Sequence, residues 1–322
     1  MAEKEKINPN RIKSRAKAFF PILIWTVIVI WCAIFLFMVA WGLMNTFKTG
    51  DGFLNNAWGF PSWSREGMQM VNGKPIPGGG KTIYHWDFGN YAKVLEAMKV
   101  DLGKGKYVYF PTLLFNTLYY CIVYGLVAVL APMLCSYIYA KYSKRVGWTK
   151  LVWVLVLISL YVPLSASLAA SLKLAMQLGI YDNLFLFIVA SFGPFGSDFL
   201  IYYAIWKGLS WEYAEAAFMD GASHWTVLTK VMFPMTLTVF WVLFITKVIA
   251  LWTDYTTPML YLPSYPTLAY ATWKLNSDTT VAGASQPVRL GAFYMMAVPM
   301  FTLFMIFREK MMGSLTMGGL KG

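Results

Sequence analysis

The 322-residue sequence is 58% hydrophobic and only 13% charged, carries a formal net charge of +12, and holds three cysteines. Soluble domains average about 25% charged residues, so this composition excludes an ordinary soluble fold and demands a membrane. Three cysteines with no metal-ligand spacing exclude a disulfide framework or a cysteine-built metal site.

In chain order, Lys4, Lys6, Arg11, Lys13, Arg15 and Lys17 make residues 1–18 a basic N-terminus ahead of a first apolar stretch, residues 19–46. That stretch exceeds the roughly 7 to 15 residues of a signal-peptide core and has no small-x-small cleavage site after it, so it reads as a retained span. A loop over residues 47–110 follows. Its Gly78-Gly79-Gly80-Lys81-Thr82 resembles the end of a phosphate-binding loop, but Pro75 stands where the first glycine is required and no apolar strand precedes it. We therefore expect no nucleotide site there. Trp58, Trp63, Tyr84, Trp86, Tyr107 and Tyr109 of this loop suit interfacial anchoring, and they also suit stacking on a sugar ring.

Five further apolar stretches reach the about 20 helical residues that cross about 30 Å of hydrocarbon. They cover residues 111–140, 151–177, 184–206, 231–252 and 290–307. Cys32, Cys121 and Cys135 all fall inside spans and read as small packing residues. Ser167 and Ser171, one turn apart, read as close helix packing. Asp198 lies roughly 13 Å, at the helical rise, from the end of the fourth span. It follows Gly193-Pro194-Phe195-Gly196, a sequence that can bend a helix and free backbone groups. A carboxylate there fits a moving gate, and it equally fits a charge satisfied by a neighbouring helix. Lys173 and Lys247 read as snorkelling outward.

Between the fourth and fifth spans lies an elbow, residues 210–234. Ser210 can cap a short helix whose Glu212 and Glu215 sit in its early turns, where a carboxylate favours the positive helix end. Gly221 can supply the left-handed residue that ends it, Ser223 can cap a second helix, and Pro234 fits the mouth of the fifth span. The small Ala216 and Ala217 leave room for another protein to approach. Lys141, Lys144, Arg145 and Lys150 fill the loop after the second span, and Arg308, Lys310 and Lys321 follow the sixth. The positive-inside rule then puts both termini, the elbow and the tail of residues 308–322 in the cytosol, with 47–110 outside. The net charge is thus a topology signal, and nucleic-acid binding does not explain it.

Glu215-Ala216-Ala217, then Asp220-Gly221, then Val231-Met232-Phe233-Pro234, resembles the EAA loop of permease subunits of bacterial ABC importers. One departure is Ser210, where sugar permeases carry a proline. Phe88-Gly89-Asn90-Tyr91, Asn116, Tyr137, Trp252-Thr253-Asp254-Tyr255 with Pro258-Met259-Leu260, and the terminal Met317-Gly318-Gly319-Leu320-Lys321-Gly322 resemble the carbohydrate, maltose-type branch, with Thr253 where Asn is usual. The resemblance implies an all-α polytopic fold of the type I importer, with six transmembrane helices in a bacterial cytoplasmic membrane. It implies that Glu215, Ala216, Ala217, Asp220, Gly221 and Pro234 couple to an ATPase, with Gly319 and Lys321 of the tail reaching toward it. Asp198, Trp252 and Asp254 are the pathway candidates. The partners implied are a second permease, two ATPase subunits and an extracytoplasmic solute-binding protein, which the 47–110 loop could contact. The chain itself is expected to bind no cofactor or metal and to hydrolyse nothing, ATP and Mg being used by the ATPase.

A contrasting reading is an ion-coupled secondary transporter or channel using Asp198, Lys247 and Asp254. A polytopic enzyme is a third, disfavoured because the two histidines, His85 and His224, fall on opposite predicted sides.

Overall fold

The structure, a computed structural model, describes residues 9–61, 64–66, 70–71, 74–75, 81–83, 86–103, 105–143, 147, 149–161, 168–190, 192–278 and 284–317. Two compact units make up the chain: Met1–Val94 with Gly283–Tyr294, and Leu95–Ala282 with Met295–Gly322.

In the first unit, α1 (Pro9–Thr46) contains the expected first span, Phe20–Thr46. Its apolar residues run around the whole helix, as they do where the solvent is lipid. The chain is then pinned by its own carbonyls. Lys48 is buried, and its ammonium donates to the carbonyls of Asn56 (2.7 Å) and Ala57 (3.0 Å), while burial lowers its pKa. Thr49 caps α2 (Gly50–Asn55) by accepting the Gly52 N–H. The Asn90 amide, at the start of α3 (Gly89–Ala97), donates to the Thr46 and Lys48 carbonyls at 2.8 and 2.7 Å, closing the end of α1. Trp58 lies back along α1, stacked on Phe37 and 5.3 Å from Trp41, a placement that agrees with interfacial anchoring. Among the described residues, the part of the loop in this unit contains two small antiparallel pairs, β1 (Ser64–Glu66) with β4 (Lys81–Ile83) and β2 (Met70–Val71) with β3 (Lys74–Pro75). Gly78 to Gly80, Trp63, Tyr84 and His85 lie outside the described residues.

In the second unit, β5 (Val100–Asp101) pairs with β6 (Tyr107–Val108) just before α4 (Phe110–Tyr119). A π-helical turn, Tyr120–Tyr124, joins α4 to α5 (Gly125–Tyr142), making one continuous membrane-length helix. Then come α6 (Thr149–Tyr161), α7 (Leu168–Gln177), α8 (Leu184–Ala190), α9 (Ser197–Gly208) and α10 (Glu212–Met219). A short α11 (His224–Thr226), a second π turn (Val227–Met232) and α12 (Phe233–Thr253) again form one helix; α13 (Thr256–Tyr261) and α14 (Leu268–Ser277) follow, and α15 (Gln286–Met317) belongs to the first unit up to Tyr294 and to the second from Met295.

Four helices among the described residues are long and apolar enough to cross a membrane: Phe20–Thr46, Phe110–Tyr142, His224–Thr253 and Gln286–Glu309. Of the other two expected spans, the third covers α6 and α7, with residues 162–167 between them, Ser167 included, outside the described residues. The fourth breaks between α8 and α9, where Gly196 sits at φ 150° and ψ −166°, a conformation open to little but glycine. The second elbow helix and the fifth span, expected as separate pieces, are one helix. Pro234 is carried inside it because the preceding π turn shifts the hydrogen-bond register, the Phe233 N–H reaching the Leu228 carbonyl.

The core of this unit packs Val129, Met133 and Tyr137 of α5 against Tyr202 and Trp206 of α9, Ala214 of α10, and Val227, Met232 and Phe240 of the long elbow-derived helix. The Trp206 indole N–H donates to the Met133 carbonyl at 3.2 Å. Asn116 donates to the Pro266 carbonyl (3.0 Å), and the Thr117 hydroxyl accepts the Leu268 N–H (2.8 Å), tying α4 to the start of α14. Gly125 permits α5 and α12 to approach closely, since a Cβ there would stand 3.3 Å from Phe244 and 3.5 Å from Val248. Gly125→Leu should therefore cost about 1–3 kcal/mol by overpacking and Gly125→Ala much less. Thermal unfolding of the detergent-solubilised protein checks this, and equal midpoints for the two variants would remove the close-approach role.

Candidate functional site

The elbow is built by local rules. Ser210 accepts the Glu212 N–H at 3.2 Å, so it caps α10 from one residue before the helix boundary at Trp211. The other end closes with a Schellman motif, in which the Ala222 N–H bonds the Ala217 carbonyl and the Gly221 N–H bonds the Phe218 carbonyl, both at 3.0 Å. That motif needs a left-handed residue, and Gly221 has φ 81°. Ser223 then caps α11 by accepting the Thr226 N–H at 3.2 Å.

An aromatic clamp holds the elbow on the end of α5. Ala214 is fully buried, and Phe218 packs edge-on against His224 (4.8 Å) and beside Trp211 (6.1 Å). Tyr142 pairs its hydroxyl with His224 Nδ1 at 2.9 Å. Lys141 donates to the Leu209 carbonyl at 2.6 Å with its ammonium over the Trp211 ring. With that face fixed, α10 presents Glu215, Ala216 and Asp220 to the exterior, together with Tyr213 and the 88%-exposed Met219; Trp225 is exposed just beyond. Sequence reasoning missed the clamp and the exposed apolar residues. Pairs such as Tyr142 with His224 are invisible to local patterns.

The other candidates separate. Asp198 opens the first turn of α9, immediately after the break, and Lys247 of α12 bonds it at 2.9 Å. The expectation that Lys247 snorkels outward is therefore corrected: the break leaves Asp198 unshielded, and an ion pair satisfies both groups where a lone charge in a membrane would be costly. Lys173 is exposed. The pair borders a polar cavity of about 220 Å³ whose wall also includes Tyr124, Pro132, Gly193 and Gly196. Trp252 is buried and donates to the Met296 carbonyl at 3.1 Å. Asp254 accepts the Tyr120 hydroxyl (3.2 Å) and the Thr257 N–H (3.0 Å), joining the first π turn to the start of α13. Neither is among the described residues that line the cavity. Gly319 and Lys321 lie outside the described residues.

Residues 127–308 match the family described as binding-protein-dependent transport system inner membrane component. The chain belongs to that family. This makes it a permease subunit of a binding-protein-dependent ABC importer, a membrane protein that is not itself catalytic, and it leaves the ion-coupled reading without support. The chain is 22% identical to the diacetylchitobiose uptake system permease protein NgcG of Streptomyces coelicolor, over 90% of its own length and 86% of that protein's. It is 26% identical to the arabinooligosaccharides transport system permease protein AraQ of Bacillus subtilis, over 53% of its length and 60% of that protein's. A crystal structure of a bacterial ABC transporter involved in the import of the acidic polysaccharide alginate superposes with a TM-score of 0.68 at 19% identity, covering 92% of this chain and 97% of that one. At that identity the likeness shows the fold, the type I importer permease.

Nothing lies within 4 Å of where a Gly221 Cβ would stand, so only backbone conformation restricts the position. Gly221→Val should cost about 1–3 kcal/mol locally, while Gly221→Asn, tolerant of left-handed φ, should stay close to the parent. Limited proteolysis at residues 219–223 reads this, and equal cleavage of the valine and glycine forms would contradict the Schellman assignment.

Proposed function

We propose that the chain forms half of a saccharide pathway and is driven through its elbow by a cytosolic ATPase. The observation that carries this reading is the clamped elbow: a capped, rigid helix pair with one face fixed to the bundle and Glu215, Ala216 and Met219 free on the other. The partner surfaces are an ATPase of a pair, which uses ATP and Mg, a second permease, and an external solute-binding protein. The chain itself binds no cofactor. Saccharide is supported by the printed functions of NgcG and AraQ and by the resemblances around Asn90, Asn116 and Trp252. Both termini and the elbow face the cytosol on the positive-inside rule.

Coupling follows from helix continuity. His224 to Lys247 spans about 35 Å of one helix at the helical rise, so a displacement of the elbow carries to the Asp198–Lys247 pair. ATPase closure would bias that helix between two positions and so alternate access.

The test uses vesicles holding the whole assembly, with N,N′-diacetylchitobiose, arabinotriose, maltotriose and trigalacturonate as solutes. At least one saccharide should enter only with ATP, and dissipating ion gradients should change nothing. Glu215→Lys should weaken ATPase retention by about tenfold or more, the loss of one charge-assisted contact, without altering capture by the binding protein. Uptake that persists without ATP, or retention unaffected by Glu215→Lys, would sink the reading. Orientation is tested separately, with native cysteines removed: a cysteine at Ser64 should react with an impermeant thiol reagent on intact spheroplasts and one at Ser143 should not. The reverse pattern would place the elbow on the wrong side for an ATPase.

A further inference from the structure

The polar cavity beside the α8–α9 break is assembled from backbone irregularities of separate helices. Tyr124 ends the first π turn, Pro132 interrupts the hydrogen-bond ladder of α5, and Gly193 and Gly196 stand in the non-helical break. Non-helical backbone at membrane depth is tolerated where it lines a cavity or is covered by protein. Among the described residues lining it, Asp198 and Lys247 are the only acidic and basic side chains, and they pair with one another at 2.9 Å. Both remain partly accessible, with side-chain exposures of 17% and 39%. The pair therefore offers a strong acceptor and a strong donor side by side with no net charge.

We infer that this cavity is a solute-contacting site that admits an uncharged saccharide ring and disfavours an acidic one. The inference rests on the saccharide reading above. A hydroxylated ring can donate to the Asp198 carboxylate and accept from the Lys247 ammonium, while the partly exposed aromatic residues Tyr124 and Phe195 border the same space. A uronate would meet a lysine already compensated and a carboxylate repelling it at close range, in a setting where screening by water is weak. The pair also holds the empty site without leaving either charge unpartnered in the membrane. At about 220 Å³ the cavity falls below the about 300–1,000 Å³ of pockets that enclose drug-sized ligands, so it takes one ring of a longer solute at a time.

The experiment places a reporter in the cavity wall and reads protection of it. In the whole assembly in nanodiscs, with Cys32, Cys121 and Cys135 replaced, Ala128→Cys is modified by the neutral reagent methyl methanethiosulfonate and followed by mass spectrometry of this chain's peptide. Ser197→Cys serves as a second reporter should the first assembly be unstable. At about 10 mM, at least one of N,N′-diacetylchitobiose, arabinotriose and maltotriose should slow modification about fivefold, as occupancy at about four times the dissociation constant requires. Trigalacturonate should leave the rate unchanged. In the Asp198→Asn background, where Lys247 is left uncompensated, the order should reverse. Protection by trigalacturonate equal to that by the neutral sugars, with the pair intact, would overturn the proposal. So would unchanged labelling with every sugar in assemblies whose vesicles import one of them, and that result would leave the saccharide-importer reading standing. Absence of uptake for every saccharide would overturn the saccharide reading, and this inference with it.

Discussion

In hydrocarbon no water is available to a backbone N–H or C=O, so a spanning segment must satisfy its own ladder or surrender the freed groups to protein or to an internal cavity. The second unit obeys this constraint by keeping Phe110–Tyr142 and His224–Thr253 continuous and concentrating departures in a few places. Among the described residues those departures include the π turns at Tyr120–Tyr124 and Val227–Met232, the internal Pro132, and the break before Ser197. Each sits beside something with work to do. The first π turn meets Asp254 and the polar cavity, the second adjoins the elbow, and the break delivers Asp198 to Lys247. Regular helix supplies the frame, and irregular helix coincides with the places proposed above for exchange with solute or partner.

The elbow was legible because its code is local. A serine cap, a glycine in the left-handed region and a second serine cap are each specified within four residues, and all appear where the sequence places them. The break at Gly193 to Gly196 was legible for the same reason. The Asp198–Lys247 pair was not, since it joins residues far apart in the chain whose helices share one core with α5, including Tyr202, Trp206 and Phe240. Nor were the π turns, which have no residue signature of their own. Hydropathy located the apolar stretches and blurred their boundaries: it cannot see that Ser223 starts a helix that runs without interruption into the fifth span, because caps and π turns leave average apolarity unchanged.

The clamp around His224 gives a short surface helix a fixed seat on the bundle. Phe218 and Tyr142 close on it from α10 and α5, Trp211 packs against both of them, and Lys141 fastens the Leu209 carbonyl. A helix of eight residues has little stability of its own in water, so α10 depends on these contacts for its rigidity. On the proposed coupling role, a push on its exposed face is opposed by the packing of the other, and the long helix starting at His224 is the element placed to carry it onward.

The emptiness around Gly221 means that the only thing excluded there is handedness. A ribosomal side chain is strained at φ 81° although no atom would touch it, whereas a residue of opposite chirality finds that region comfortable. A D-alanine placed at this joint by chemical ligation would keep the turn and narrow the wandering of the unfolded chain, tightening the elbow by stereochemistry alone.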